Sequence, residues 1–474
     1  MAASVAHCQL NLTAEQILAF ILKLPDTFYP TILDSCKYQD YGLYSGRFLI
    51  AGYSPEICFQ ITNQQAYLIS RSGENIINGN ALDVLDELLD ERQPQELINV
   101  DLPLASSGAI GFFSYDLNQY FEKLPTMPSS SHYPPDIFLC FYTVLIVYDY
   151  LTNKATLIIY GQNSDQCQMR LKAAQKQLEH FANSFSGINF SNLNIELKKL
   201  NYHSTFNKTT YLQAVEKIKS YIAEGDIYQA NLTQQFQIEL NNFSAQEIFL
   251  RLRKYFPVPF SAYLKTPDWA VVSASPERFL HLQGKNIAAY PIKGTRPRGK
   301  DFASDKELAA ELQSSEKDIA ENIMIVDLLR NDLGRISELG TIDASNVLSL
   351  QALPTVFHLV SKVSGQIKEN IKFSEILRAT FPCGSITGAP KIRAMEILSK
   401  IEPLKRGLSM GAIGWIGYDG NLDLSVAIRT LFIQNNRGYL NVGGGVVADS
   451  DPKAEYQESL IKAEAMFQAI GLKI

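Results

Sequence analysis

The sequence lacks the patterns that mark several common chemistries. Its six cysteines lie far apart and form no Cys-x-x-Cys pair, so they favour neither a zinc site nor a disulfide framework. It also contains no His-Glu-x-x-His, Gly-x-Gly-x-x-Gly or Walker sequence. Zinc hydrolases and dinucleotide-binding proteins are therefore poor matches. Unpaired cysteines are typical of a reducing compartment, which predicts a cytoplasmic location.

Long hydrophobic runs and blocks of positive charge are also missing. The longest apolar run, 137–148, is shorter than the roughly 20 residues that a membrane helix needs, and its β-branched and aromatic residues predict one buried strand. The N-terminus lacks the positively charged start of an export signal. A formal charge of −6 without a basic block argues against nucleic acid and against a polybasic membrane anchor. We expect neither a nucleic acid nor a membrane partner.

What is present is the composition of a folded protein that could be a small-molecule enzyme. The chain has 474 residues, of which 46% are hydrophobic, so it can form two domains or one large composite domain. Short strands dominate up to about residue 160, helical periodicity follows at 165–182, and the next segment is polar and rich in asparagine. These features predict a sheet-rich N-terminal subdomain at 1–185, a linker at 186–207 and a second subdomain at 208–474.

The second subdomain alternates strands with helices that have clear start and stop signals. Thr209 or Thr210 is the predicted N-cap of its first helix, and Gly225 is the predicted C-cap. Later helices are predicted at 315–332, 390–400 and 452–470. Strands alternating with helices favour an α/β architecture.

Two of these helices carry acidic pairs. Asp318 and Glu321 are three residues apart, as are Glu455 and Glu458, so each pair shares a helix face. The pairs could converge on one Mg²⁺ ion, which prefers one or two carboxylates together with water and substrate oxygens. The structural alternative is that the acidic residues stabilise the helix dipole and that Glu458 pairs with Lys462 one turn later.

Three features could bind an anion. The segment 384–391 leads into a helix whose first position suits Pro390, so free backbone N–H groups could face an anion there. Gly443, Gly444 and Gly445 could form a backbone nest for a carboxylate. Arg429 could offer its guanidinium to the same group. The alternatives are a plain connecting loop, a strand bulge at the glycines and a structural salt bridge at Arg429.

Three further residues could take part in catalysis. Lys293 lies in Pro291-Ile-Lys-Gly-Thr295, a turn-like frame that can hold one amine in a fixed direction. Glu277 could act as a general acid if burial raised its pKa, although Arg278 beside it allows a local ion pair instead. His358 lies in a strand-like setting, where a lone histidine is more often a core residue than a proton carrier.

Seven tracts, in this order, closely resemble the chorismate-utilising enzyme family over most of 208–470. They are 225–232, 275–278, 291–295, 321–332, 387–391, 427–430 and 443–450. The resemblance implies an anthranilate-synthase-like α/β fold of the α+β type, in which antiparallel sheets pack as a sandwich with flanking helices.

Within this family the sequence is most similar to the aminodeoxychorismate branch. Isochorismate and salicylate synthases have a lysine base where this chain has Gln229, and anthranilate synthases have alanine where it has Lys293. The segment Pro259-Phe-Ser-Ala-Tyr-Leu264 also resembles the aminodeoxychorismate branch. The alternatives are an anthranilate synthase large subunit and a regulatory subunit that binds chorismate or tryptophan without catalysis.

The resemblance also implies roles for the candidate residues. Mg²⁺ would lie on Glu321 and Glu458, with Asp318 and Glu455 acting through water. The substrate pocket, including the groups that hold the carboxylates of chorismate, would contain Gln229, His358, Thr387, Arg429, Gly443, Gly444, Gly445 and Lys462.

The implied reaction begins with attack of the Lys293 amine on ring carbon 2, while Glu277 protonates the hydroxyl that leaves carbon 4. Ammonia then enters at carbon 4 and expels the lysine, which gives 4-amino-4-deoxychorismate. The alternative is that Lys293 is only an electrostatic contact and ammonia attacks directly. No Gly-x-Cys-x-Gly glutaminase segment is recognisable, so a separate glutamine amidotransferase subunit is the implied source of ammonia.

Several positions depart from the pattern of the family. Ser409 stands where relatives have a tyrosine that touches the substrate, and Cys383 and Trp415 replace a glycine and a tyrosine. These departures are expected to change substrate affinity. In the N-terminal subdomain, Thr31-Ile-Leu-Asp-Ser35 loosely resembles the segment that binds tryptophan in relatives, which makes it a candidate effector site.

Overall fold

The fold is taken from a computed structural model of the chain. The structure describes residues 3–40, 42–95, 101–129, 133–185, 187, 193–197, 199–241, 243–353 and 356–473. Positions 186, 188–192 and 198 of the predicted linker therefore lie outside the described residues.

Ten α-helices lie within these ranges, and the four for which start and stop signals were predicted begin and end close to them. They are α1 (Ala14–Leu22), α2 (Ala81–Asp90), α3 (Ser164–Asn183), α4 (Lys208–Ala223), α5 (Ala245–Tyr255), α6 (Phe302–Ser314), α7 (Glu316–Gly334), α8 (Phe373–Thr380), α9 (Lys391–Ile401) and α10 (Pro452–Ala469). Ser315 caps α7 by accepting from the N–H of Asp318. The predicted cap of α4 was wrong, because Asn207 accepts from the N–H of Thr210 and starts the helix earlier. Among the described helices, none combines the length and apolar character needed to cross a membrane.

The strands are short and nearly all belong to two large antiparallel sheets. They are β1 (Ser4–Leu10), β2 (Thr31–Asp34), β3 (Gln39–Asp40), β4 (Ser45–Gly46), β5 (Phe48–Gly52), β6 (Pro55–Thr62), β7 (Gln65–Ser70), β8 (Gly73–Ile77), β9 (Gly108–Phe113), β10 (Ile137–Tyr142), β11 (Val144–Asp149), β12 (Lys154–Gly161), β13 (Tyr202–Ser204), β14 (Gln229–Glu239), β15 (Phe260–Lys265), β16 (Trp269–Ser275), β17 (Arg278–Gln283), β18 (Asn286–Ala289), β19 (Ile292–Pro297), β20 (Asp343–Ala352), β21 (Val356–Gln366), β22 (Gly388–Ala389), β23 (Ala412–Gly417), β24 (Leu422–Val426), β25 (Thr430–Gln434) and β26 (Arg437–Val446).

Each large sheet draws strands from both halves of the chain. The first has the order β1-β12-β11-β5-β2-β15-β16-β25-β26-β14-β13, with β22 beside β14. The second has the order β19-β21-β18-β17-β24-β23-β9-β10-β6-β7-β8, with β20 beside β21. Strands from before residue 185 pair with strands from after residue 208 in both sheets, as β2 does with β15 and β9 with β23. The two halves therefore share their sheets.

Alternation along the strands sorts side chains into layers. In β9, Ile110 and Phe112 face the core between the sheets, whereas Ala109 and Phe113 face helices α2, α7 and α8. Helices α1, α3, α5 and α10 cover the outer face of the first sheet, and α4 and α9 pack beside β14 and β26. The predicted sandwich of antiparallel sheets with flanking helices is confirmed.

The apolar run 137–148 corrects one sequence prediction. It forms two strands, β10 in the second sheet and β11 in the first, with the break at Thr143. Leu145 and Val147 face the core between the sheets, while Ile146 and Tyr148 face the helices outside. The prediction of one strand was wrong because strands buried on both faces are apolar throughout, so the change of sheet is marked by a single polar residue, Thr143.

Candidate active site

Lys293 lies on β19, at the edge of the second sheet that faces α7. Its Nζ donates a hydrogen bond to the Ser385 carbonyl at 3.0 Å. The next residue, Gly294, has a φ of +85° and packs against Asp318, where an added Cβ would come within 3.0 Å of the Asp318 Cβ. The pairing of β19 with β21 shifts at this point, between Ile292 and Thr295. The local irregularity sets the direction of the amine.

The environment of Lys293 favours a neutral amine. Burial lowers its pKa, Glu321 opposes this effect, and Lys462 adds to it. No carboxylate among the described residues lies within ion-pair distance of its Nζ. A desolvated lysine without a paired carboxylate can act as a nucleophile.

Glu277 faces Lys293 from the end of β16. The side chain is 4% exposed, and its Oε1 accepts from the Ile292 N–H at 3.4 Å. Burial raises the pKa of Glu277, while Ser385 and Lys293 act in the opposite direction. Arg278 turns away and pairs with Asp423 at 2.9 Å, so the local ion pair weighed from the sequence is absent. A buried carboxyl of this kind can hold a proton for donation.

The acidic residues of α10 lie near Gly444 on β26. An added Cβ at Gly444 would lie 3.2 Å from Glu455 Oε2 and 3.5 Å from Glu458 Oε1, so strand and helix approach closely here. Burial raises the pKa of Glu321 and of Glu455. At Glu458 burial also acts to raise the pKa, but Lys462 outweighs it and the pKa is lowered.

Cations accompany these carboxylates. Lys462 Nζ lies 2.7 Å from Glu458 Oε1 and donates to the Gly443 carbonyl at 3.2 Å. Lys317 Nζ lies 3.8 Å from Glu455 Oε1, and Arg296 pairs with Asp318 at 3.2 Å.

Within the described ranges no three acidic, histidine or cysteine side chains lie close enough to hold a metal by themselves. The hard carboxylate oxygens of Glu321 and Glu458 nevertheless fit Mg²⁺, which needs only one or two of them.

The three glycines of β26 form neither the nest nor the bulge considered from the sequence. They pair in continuous register with β14, Gly443 with Thr233 and Gly445 with Asn231, and none has a positive φ. The N–H groups of Thr233 and Asn231 point away from β26, to Glu402 and Thr387. The N–H groups of the opposite glycines, Gly443 and Gly445, must therefore also point away from β14. β25 pairs with β26 only as far as Leu440, so these two amides lie on an unpaired edge.

Polar atoms without partners mark the inner part of the site. Arg429, at a φ of 49°, makes no ion pair among the described residues, and burial lowers its pKa. The structural salt bridge considered for this arginine is therefore absent from the described part of the chain. The buried Oε1 of Gln229 and the buried Nε2 of His358 also have no hydrogen-bond partner there. Burial, together with Arg429, lowers the pKa of His358 to about 3, so its imidazole is neutral.

The loop before α9 has a structural role at several positions. The Thr387 hydroxyl donates to the Gly384 carbonyl at 3.1 Å and to the Cys383 carbonyl at 3.3 Å. Pro390 is the N-cap of α9 and not its first residue, and Lys391 bonds to Asp332. Burial raises the pKa of Cys383 to about 12, which leaves a neutral thiol next to Glu277.

Ser409 and Trp415 lie outside this cluster. The sequence Gly407-Leu-Ser-Met-Gly411 has the Gly-x-Ser-x-Gly spacing of serine hydrolases, but it leads into strand β23 and not into a helix. The Ser409 hydroxyl accepts from the Asn441 N–H at 3.4 Å. Trp415 lines a separate cavity of about 500 Å³ between the sheets. Asp34 and Ser35, from the predicted effector segment, line the same cavity with Arg278.

Sequence reasoning missed several residues of the site. Ser385 contributes a main-chain carbonyl to Lys293, which leaves no signal in the residue type. Arg296 neutralises Asp318 across two elements that are separated in sequence. The alternation of β19 could have pointed to Thr295, whose hydroxyl lies 2.9 Å from His358 Nδ1.

Comparison with known proteins shows the family to which this chain belongs. Residues 46–468 match the family of chorismate binding enzymes, and the chain belongs to that family. Aminodeoxychorismate synthase component 1 of Bacillus subtilis (strain 168) is 38% identical over 374 residues, which cover 79% of each chain. The Escherichia coli (strain K12) protein of the same name is 36% identical, over 87% of this chain and 88% of that protein.

Anthranilate synthases are nearly as similar. Component 1 from Acetivibrio thermocellus is 33% identical, over 90% of this chain and 87% of that protein. The crystal structure of anthranilate synthase component I from Streptococcus pneumoniae TIGR4 superposes with a TM-score of 0.79 at 31% identity, covering 89% of this chain and 92% of that one. The chain is a chorismate-utilising enzyme of the aminodeoxychorismate or anthranilate synthase component I type.

Proposed function

We propose that this chain is the synthase component that converts chorismate and ammonia to 4-amino-4-deoxychorismate, for the 4-aminobenzoate and folate pathway. The observation that carries the proposal is the amine of Lys293, which is desolvated, free of a paired carboxylate and opposite the buried Glu277. An amine in this state can form a covalent bond to the substrate, whereas an exposed lysine would be protonated at neutral pH.

In the proposed reaction, Lys293 acts as the nucleophile and Glu277 as the general acid. The neutral Lys293 amine forms a bond to ring carbon 2, the two conjugated ring double bonds both shift by one position, and the bond from carbon 4 to its hydroxyl breaks. Glu277 donates the proton that lets the hydroxyl leave as water. Ammonia then bonds to carbon 4, both double bonds shift back, and the bond from carbon 2 to the Lys293 amine breaks. The net change is replacement of the hydroxyl by an amino group, and the enolpyruvyl group is retained.

Chorismate is a dianion, and the candidate active site offers hydrogen-bond donors for both of its carboxylates. Arg429 supplies a guanidinium without an ion pair in the described part of the chain, and the Gly443 and Gly445 amides lie on an open strand edge. Lys462 stands beside the same edge. Gln229 and Thr387 complete the wall of the pocket at β14 and β22.

Mg²⁺ would be held by Glu321 and Glu458, with Asp318 and Glu455 supporting it through water. When bound, the ion would neutralise a carboxylate of chorismate. Lys462 and Lys317 now balance part of the same negative charge, and they would have to share these carboxylates with the ion.

The source of ammonia would be a glutamine amidotransferase subunit. The chain has no recognisable glutaminase segment of its own. Both sets of relatives are named as component 1, which supports a second component for this chain as well.

The test is mass analysis of products after incubation of the purified chain with chorismate, ammonium and Mg²⁺, with a parallel pyruvate assay. We expect an amino product that retains the enolpyruvyl group and no pyruvate. Anthranilate with pyruvate would instead establish the anthranilate synthase alternative, and chorismate binding without turnover would favour the regulatory alternative.

Lys293→Met tests the covalent step. We expect a loss of several orders of magnitude in kcat, because a nucleophile is removed, whereas Lys285→Met on the exposed β17–β18 turn should keep full activity. Intact-protein mass spectrometry of the wild-type enzyme with chorismate but without ammonia should detect an adduct. Near-normal turnover of Lys293→Met at high ammonia would exclude the covalent step.

A further inference from the structure

Two neighbouring polar side chains near the site have no role in the reaction described so far. Gln351 is 4% exposed, and both its Oε1 and its Nε2 lack a hydrogen-bond partner in the described part of the chain. His358 is 3% exposed, and its Nε2 lacks a partner there as well. Buried polar atoms are nearly always hydrogen-bonded, so such a group indicates a missing ligand.

The sheet register brings these two side chains together. Gln351 on β20 is directly opposite His358 on β21, and Thr295 on β19 is opposite His358 on the other side. Residues directly opposite in an antiparallel pair share a face, with Cβ atoms about 5 Å apart. Gln351 and His358 are not hydrogen-bonded to each other, so the polar ends of both side chains are left for a ligand.

The chemistry of His358 identifies what that molecule must offer. Its Nδ1 lies 2.9 Å from the Thr295 hydroxyl, and the Gly294 main chain acts to raise its pKa against the larger effect of burial, which lowers it. The imidazole is neutral, so when Nδ1 carries the proton, Nε2 presents a lone pair. Gln351 presents a second acceptor, Oε1, together with the donor Nε2. A ligand that brings N–H or O–H donors fits the two acceptors.

We propose that His358 Nε2 and Gln351 Oε1 form a binding subsite for ammonia, the second substrate of the proposed reaction. Ammonia has three N–H donors and one lone pair, so two acceptors can hold it and leave the lone pair directed to the ring. The carboxylates of chorismate offer only acceptors, and Arg429 rather than this pair matches them. Gln351 is then a specificity-determining residue for the amine. The subsite rests on the proposed function, because a synthase that uses no ammonia has no need of it.

The experiment measures KM for ammonia and KM for chorismate separately in variants of the full chain. Gln351→Met keeps the length of the side chain but removes both polar atoms. We expect KM for ammonia to rise about three- to tenfold, the effect of one lost hydrogen bond, with KM for chorismate and kcat at saturating ammonia unchanged. Gln351→Glu keeps an acceptor oxygen and should keep KM for ammonia close to that of the wild type.

Gln366→Met is the matched control, because Gln366 lies at the exposed end of β21 and should leave both KM values unchanged. Thermal unfolding of each variant separates loss of binding from loss of folding. If Gln351→Met does not fold, Gln351→Asn withdraws the amide by one methylene and should give the same rise.

Three results would overturn the subsite. They are an unchanged KM for ammonia, a rise in KM for chorismate instead, and a Gln351→Glu variant as impaired as Gln351→Met, since the last would mean that the N–H donor matters. If the wild-type chain forms no amino product from ammonia, the proposed function itself fails, and that outcome is seen before any variant is made.

Discussion

Two arginines, the buried Arg406 and the half-buried Arg429, show how differently the two sides of the candidate site are built. Arg406 is 3% exposed and uses all its guanidinium nitrogens, donating to Glu402 at 2.8 and 2.9 Å, to the Ile386 carbonyl at 3.0 Å and to the Asn231 carbonyl at 2.6 Å. Arg429 has no ion pair among the described residues, and only burial acts on its pKa. Both residues lie beside the strands that carry the candidate site.

This difference indicates that Arg406 supports the fold, whereas Arg429 is available to bind a ligand. Although burial acts to lower the pKa of Arg406, Glu402 and Tyr115 raise it above its usual range, so the charge is stable in place. The same Glu402 Oε1 accepts from the N–H and hydroxyl of Thr233, which fixes β14 against the turn before β23. The pKa of Arg429 is lowered because nothing compensates its burial, and an anionic ligand would supply the missing charge.

Breaking the ion pair between Arg406 and Glu402 should have the largest effect on the free energy of unfolding. Arg406→Met leaves Glu402 buried without its partner, and we expect the free energy of unfolding to fall by about 3–5 kcal/mol in urea denaturation. Replacing both residues by methionine should recover much of this loss, because no charge is then buried alone. A single variant as stable as the wild type would show that Arg406 is not a structural support.

The second prediction concerns the proton on Glu277. With free ammonia held constant, kcat should fall at low pH as Lys293 becomes protonated and at high pH as Glu277 loses its proton. The lowered pKa of Lys293 and the raised pKa of Glu277 move these two limits toward neutral pH. Glu277→Gln should lower kcat about 10²-fold and remove the alkaline limit. An alkaline limit that persists in this variant would assign the proton to another group.

Removing Arg429, which has no ion pair among the described residues, should affect binding and spare the fold. Arg429→Met should weaken chorismate binding by about 2 kcal/mol or more, since a buried charge–charge contact is lost. The free energy of unfolding should stay equal or increase, in contrast to Arg406→Met, because an uncompensated charge is removed. Calorimetric titration without ammonia measures the first quantity and urea denaturation the second. Equal destabilisation by the two arginine variants would remove the distinction between support and binding.

The smallest effect is expected from the neutral histidine. The folded pKa of His358 is lowered to about 3 from 6.5, so the unfolded chain takes up the proton first, and stability falls as the pH drops from about 6.5 toward 3. Between pH 7 and 5.5 this group should remove about 1 kcal/mol. His358→Asn should reduce the pH dependence of unfolding by that amount. A variant with the same pH dependence as the wild type would place the titration elsewhere.

Much of the local structure could be predicted because its causes are local. The cap at Ser315, Pro452 at the start of α10 and the spacing of the acidic pairs each depend on residues within one or two turns. Predictions about residues whose environment depends on distant parts of the chain were less accurate. The glycines of β26 looked like a nest, but they are needed where β14 and α10 approach the strand.

The sequence by itself determined the kinds of chemical group in the site, namely a lysine in a kinked strand, paired carboxylates on two helices and an arginine after β24. Motif order determined the family. Tertiary structure alone decided which charges are compensated, because compensation depends on atoms brought from distant parts of the chain. Asp318 pairs with Arg296, whereas the amine of Lys293 has its hydrogen bond to the carbonyl of Ser385 and no ion pair among the described residues. Burial and partner geometry, which shift each pKa, arise only when both sheets and their helices have packed together.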